Sequence, residues 1–103
     1  MPDKEYRVIV SERAMAMLTS HVKFLAQVSN NAATKLKDEL ISEMKELKRM
    51  TESYPPFNNE YIPANKYRKK LVSKRYLIIY QIVDDNVYVD YVLDCRQDYG
   101  WLL

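Results

Sequence analysis

Tyr6, Val8 and Val10 alternate with Arg7 and Ile9, and β-branched residues dominate this stretch, so the chain opens on a short strand. Ser11 ends it and is a favoured helix N-cap. Met15, Leu18, Val22, Leu25 and Val28 then recur at spacings of three and four, which predicts an amphipathic helix from about Glu12 to Val28. The pair Asn30 and Asn31 breaks and recaps the chain. Leu36, Leu40, Met44 and Leu47 form a second stripe, with Lys35, Asp38, Glu39, Glu43, Lys45, Glu46 and Lys48 on the remaining sides, which predicts a helix from about Ala32 to Ser53. Pro55 and Pro56 end it, because proline lacks an amide donor and disfavours the helical region for the residue before it. A loop of about ten residues follows. In it Tyr54, Phe57 and Tyr61 are expected to act as apolar anchors.

From Lys66 onward the period changes to two. The runs from Tyr76 to Val83 (YLIIYQIV) and from Val87 to Leu93 (VYVDYVL) are rich in β-branched and aromatic residues, and Asp84, Asp85 and Asn86 between them supply hairpin chemistry. A two-residue loop at Asp85 and Asn86 sets Ile82 opposite Val89, Tyr80 opposite Tyr91 and Ile78 opposite Leu93 on an apolar face, and Gln81 opposite Asp90 and Leu77 opposite Asp94 on a half-polar one. A tight turn at Ser73 and Lys74 sets Lys70 opposite Leu77 and Arg68 opposite Ile79, both on the open face. The same register turns Lys69 toward the helices between Tyr67 and Leu71, where a charge is costly unless its stem reaches out at an edge. The expected fold is α+β, with two N-terminal helices on one face of a mainly antiparallel four-stranded sheet in the order β-α-α-β-β-β. At 103 residues it forms one domain, residues 1–103.

Charge sharpens this picture. The segment from Lys66 to Arg75, KYRKKLVSKR, holds six basic residues and no acidic one, so the rest of a chain of formal charge +2 is net acidic. Such polarisation suggests a polyanionic partner. Basic residues on strands also serve as solvated edges that discourage pairing between molecules, and that reading suits Lys66, Lys69 and Lys74.

The remaining composition narrows the chemistry. A single Gly leaves no room for a Walker or dinucleotide loop. One His and one Cys give no zinc constellation, and Asp84, Asp85 and Asp90 are spaced for a turn and a strand rather than a calcium or magnesium loop, so neither metal nor cofactor is expected. Cys95 cannot form an internal disulfide and has no visible base to activate it, and His21, in the first helix, is expected at the surface. No apolar run approaches the roughly 20 residues that span a bilayer, nor is there a signal-peptide pattern, so a cytoplasmic location without membrane contact is expected. Among nine tyrosines, Tyr80 and Tyr91 fall on the helix-facing side and Tyr88 is the best exposed candidate for stacking on a nucleic-acid base.

The order of elements, the size, the basic strand YRKKLVSKR, the hairpin RYLIIYQIVDDNVYVDYVL and the terminal DCRQDY together resemble the RelE/ParE superfamily of type II toxin-antitoxin toxins over nearly the whole chain. The resemblance implies a toxin neutralised by a cognate antitoxin, and one of two activities. RelE-like members cut mRNA in the ribosomal A site; ParE-like members bind and poison DNA gyrase without nuclease chemistry. Cleavage through the 2′-hydroxyl requires activation of that hydroxyl, neutralisation of the phosphorane and protonation of the leaving oxygen. Set against the RelE pattern, Arg68 and Lys70 fall where two lysines are usual and Arg96 falls on the Arg after the last strand, while the Arg typical of the intervening strand falls on Leu77, with Arg75 two positions earlier.

What the resemblance implies for the site is then specific. Arg96 and Arg68 clamp phosphate, Lys70 acts as base or point charge, and Tyr99 is proton donor or stacking platform. Lys70, Arg96 and Tyr99 are the candidate catalytic residues, and Arg68, Lys70, Arg75 and Tyr88 the candidate RNA-binding ones. The expected activity is a ribosome-dependent mRNA endoribonuclease, with ribosome and mRNA as partners beside the antitoxin. The alternatives are a gyrase inhibitor, to which Leu77 points, and a catalytically inert relative. In a simpler account Arg96 is only the ion-pair partner of Asp94 or Asp98, and Tyr99 and Trp101 anchor the tail.

Overall fold

The computed structural model describes residues 5–49, 51–58 and 66–96. Strand β1 (Arg7–Val10) leads into helix α1 (Glu12–Ala26), whose N-cap Ser11 accepts a hydrogen bond from the Ala14 amide. Helix α2 (Asn30–Lys45) is capped by Ser29, which accepts from the Ala32 amide, so the cap sits one residue ahead of the asparagine pair. The segment expected to continue this helix to Ser53 breaks instead into two 3₁₀ turns, Glu46–Lys48 and Thr51–Ser53. Strands β2 (Pro56–Phe57), β3 (Tyr67–Val72), β4 (Tyr76–Val83) and β5 (Asn86–Asp94) complete the chain.

The sheet has five strands in the order β1-β5-β4-β3-β2, the added one being β2, which pairs antiparallel with the start of β3 in a stretch expected to be loop. β1 runs parallel to β5, and the other pairings are antiparallel. Leu18, Leu36, Leu40, Met44 and Leu47 from the helical half meet Val72, Tyr76, Ile78, Tyr80, Val87, Val89 and Val92 in the main core. Tyr54 packs against this core, as an anchor should. A smaller cluster on the opposite face joins Tyr67, Ile79, Tyr91 and Leu93, with Phe57 and Leu77 against it. The third expected anchor, Tyr61, lies outside the described residues.

Two local devices set the register differently from the expectation. Between β3 and β4 three residues, not two, make the turn: Val72 pairs with Tyr76, and Ser73 and Lys74 take φ of 53° and 59°. This moves the ladder by one residue, so Arg68 faces Tyr80 and Lys70 faces Ile78, and every side chain of β3 changes sides. Between β4 and β5 the loop is Asp84 and Asp85, with Asn86 already paired to Val83. That shift is even and leaves the faces alone near the loop. A bulge at Ile79/Tyr80 then leaves Asp90 without an opposite residue, which sends Tyr91 and Leu93 away from the helices and brings Val92 into the core.

Left-handed φ strains a residue with a Cβ by about 1 kcal/mol. Replacing Lys74 by Gly removes this strain at some loss to the freer unfolded chain, so K74G is expected to raise stability by roughly 0.5 kcal/mol in urea unfolding. A marked loss of stability would contradict the turn.

Candidate functional site

The basic strand carries its charges to two different faces. Lys69 lies opposite Ile79 on the face away from the helices, while Arg68 and Lys70 point to the helix side. Their expected place on the open face is therefore corrected, and the cause is the extra turn residue. Arg68 donates from Nη1 to the carbonyl oxygens of Glu52 (3.1 Å) and Tyr54 (2.7 Å), which closes the end of the 3₁₀ segment that would otherwise leave acceptors unpaired. Lys70 is buried, its side chain only 6% exposed; Nζ lies 2.7 Å from Glu43 Oε2 and donates to the Glu43 carbonyl oxygen at 3.0 Å. It also sits 5.2 Å from the Tyr54 ring centroid. Both side chains tie strand to helical layer.

A second arrangement forms at the far end of the sheet. Asp94, 3% exposed, lies opposite Tyr76, and its carboxylate accepts from two arginines. Arg75 donates from Nη2 (3.1 Å) and Nε (3.4 Å) to Oδ2. Arg96 donates its backbone amide to Oδ1 at 3.0 Å, Nε to Oδ1 at 3.4 Å and Nη2 to Oδ2 at 3.3 Å. Arg75 lies against the Tyr76 ring, 5.0 Å from its centroid, and its carbonyl oxygen accepts from the Cys95 amide. So Arg75, two positions before Leu77, and Arg96 both meet at Asp94, a residue foreseen only as an ion-pair partner of Arg96. Tyr99 lies outside the described residues.

Tyr88 is half-buried on the open face, opposite Gln81 and beside Ile9. Near it Asp90, freed by the bulge, accepts from Tyr67 Oη (2.9 Å) and Gln81 Nε2 (2.8 Å), while Arg13 donates to the Asp90 carbonyl oxygen and stacks 4.0 Å from the Tyr91 ring centroid. Burial, then the bond to Asp90, pushes the Tyr67 phenol well above its ordinary value; burial does the same for Tyr80, whose hydroxyl donates to the Thr51 carbonyl oxygen. Neither is an acid for neutral pH. His21, expected at the surface, is half-buried: Nε2 donates to the Val92 carbonyl oxygen at 2.8 Å and the ring packs on Tyr76. Past the end of β1, then, α1 closes the edge of β5 with side chains. The periodicity of α1 could not reveal this, because His21 sits at the margin of its apolar stripe.

The family of ParE toxins of type II toxin-antitoxin systems, ParDE, matches residues 8–99. The chain belongs to the ParE toxin family. No curated protein matches its sequence. A solved structure described as a chromosomal ParDE toxin-antitoxin system from P. aeruginosa shares the ParE-like fold, with a TM-score of 0.72 over 88% of this chain and 97% of that one at 11% identity. The superfamily resemblance and the α+β class thus hold, with one strand more than expected. Among the described residues of this ParE-family toxin, no group of three or more His, Cys, Asp or Glu is placed to hold a metal, and no helix is long and apolar enough to cross a membrane.

The pairing of Lys70 with Glu43 sets a measurable expectation. Glu43 is 37% exposed and rehydrates when its partner is removed, so Lys70→Ala should lower unfolding free energy by about 2 kcal/mol, below the value for a fully buried pair. Lys69→Ala should change it by less than about 0.5 kcal/mol. Equal, small effects in urea unfolding would contradict the inward placement of Lys70.

Proposed function

We propose that this toxin arrests growth by engaging DNA gyrase rather than by cutting mRNA, and that it acts in the cytoplasm under the control of a cognate antitoxin. One observation carries the reading. The two strand cations that a RelE-like nuclease needs at an open phosphate site, Arg68 and Lys70, are committed to the carbonyls of Glu52 and Tyr54 and to Glu43. Lys70 is buried with its ammonium held by the Glu43 carboxylate at 2.7 Å and the Glu43 carbonyl oxygen at 3.0 Å, so it does not reach an open phosphate site. The match to the ParE family supports the same side of the division.

The second reading, ribosome-dependent RNA cleavage, rests on Arg75 and Arg96, which meet at Asp94, and on Tyr99 three residues beyond Arg96. In that case Arg96 and Arg75 hold the phosphate and Tyr99 supplies the proton, without Lys70 as base. Tyr88, half-buried on the open face, is then too distant in the fold's layout from Asp94 on the helix side to share one phosphate with them.

Induced expression in cells separates the two. The gyrase reading expects intact messages, gyrase-linked DNA breaks, and inhibition of supercoiling by the purified toxin. Codon-phased cuts in translated messages, with supercoiling unaffected, would overturn it; no growth arrest at all would mark an inert relative.

A further inference from the structure

We propose that the outer face of α1 is the contact surface of a weak, two-fold symmetric pair of copies of this chain. The helix buries Ala14 and Leu18, and Met17, Val22 and Leu25 pack against the same core. Its other side carries Glu12, Ala16, Thr19, Lys23 and the C-cap Gln27 at spacings of three and four, all exposed. Met15 and Phe24 flank this row, one on each side, and are 40% and 63% exposed; Val28, a turn beyond Phe24, is 81% exposed. Three of the five large apolar side chains exposed among the described residues thus lie on or just past one helix. Scattered singly they would need no partner, but gathered along one face they mark a contact surface.

The charges on the row identify the occupant. Glu12 and Lys23 are of opposite sign, stand about three turns apart, and neither has an ion-pair partner among the described residues. An acidic segment laid along this face meets Glu12, and a basic one meets Lys23. A second α1 laid antiparallel, with the two-fold axis level with Met17 and Leu18, sets each Glu12 against the partner's Lys23. The same axis sets Ala16 opposite the partner's Thr19, and side chains this small let the helices approach to about 8 Å. On one flank the two Met15 side chains come together; on the other, Phe24 covers the first turn of the facing helix. Such a pairing is isologous and closes at two copies. One helix face falls short of the roughly 1,200 Å² of a standard interface, so the pair is weak, with Kd at about 10 to 100 µM. The pairing does not rest on the gyrase reading.

The test is sedimentation of the full chain, free of antitoxin, over a concentration series from about 5 to 500 µM spanning the expected Kd. Glu12→Lys and Lys23→Glu each turn two attractive pairs into two repulsive ones and should weaken association about tenfold. The double variant Glu12→Lys with Lys23→Glu restores opposite charges across the axis and should recover the Kd of the unaltered chain to within about twofold. Ala16→Trp blocks the close approach and should leave the chain monomeric throughout the series. All these positions are exposed, and circular dichroism with thermal melting checks that each variant is folded. Glu12 lies in the first turn of α1, so Lys23→Glu and Ala16→Trp carry the test where Glu12→Lys does not fold.

A dimer weakened by either single reversal, restored by the double one and abolished by Ala16→Trp supports the pairing. A chain that stays monomeric up to 500 µM, about five times the weakest expected Kd, overturns it and leaves the face to a different protein, such as the antitoxin. A dimer that none of these changes weakens, or one that the folded double variant fails to restore, overturns it as well and places self-association elsewhere on the surface.

Discussion

Three residues, Ser73 to Arg75, turn the chain between β3 and β4, and two of them hold positive φ without being glycine. Such a turn matches the right-handed twist of the strands it joins, and in doing so it determines which face each side chain of β3 occupies. Tyr67 and Lys69 lie on the face away from the helices; Arg68, Lys70 and Val72 lie on the helix side. The same turn delivers Arg75 to Asp94 at the end of β5. One added residue thus converts a candidate row of open-face cations into struts to the helical layer and an end-of-sheet ion cluster.

The struts also account for the helical layer. A segment rich in charge and ended by two prolines has little reason of its own to stay on the sheet. Arg68 satisfies carbonyls of Glu52 and Tyr54, Tyr80 donates to the carbonyl of Thr51, and Lys70 reaches Glu43 near the end of α2. Buried charges of this kind are worth having only when every donor finds an acceptor, and Lys70 has a carboxylate, a carbonyl and a ring face. On the other flank α1 answers the carbonyls that β5 exposes beyond β1, with Arg13 on Asp90 and His21 on Val92. Polar contacts at the edges of the core thus add to the packing of its leucines.

The elements themselves were legible in the sequence because periods of 3.6 and 2 are strong signals over the stripes of α1 and α2 and the runs of β4 and β5. The register was not, because it depends on turn geometry. Ser73 and Lys74 carry no glycine or asparagine to announce a left-handed turn, and Asp90 looks like any polar strand residue although it forms a bulge. The conflict foreseen for Lys69, a charge directed between Tyr67 and Leu71, was the one trace of the error, and the shift removes it. For the site, Arg75 and Arg96 were visible as cations around a gap at Leu77, whereas Glu43 gave no sign, being one of several charges beside the apolar stripe of α2.

Cross-strand nuclear Overhauser contacts measure this register directly. This register gives backbone contacts that pair Arg68 with Tyr80 and Lys70 with Ile78, together with contacts from the Lys70 side chain to the Tyr54 ring. Contacts that pair Arg68 with Ile79 and Lys70 with Leu77, with the Lys70 side chain free in solvent, would contradict it and return both cations to the open face.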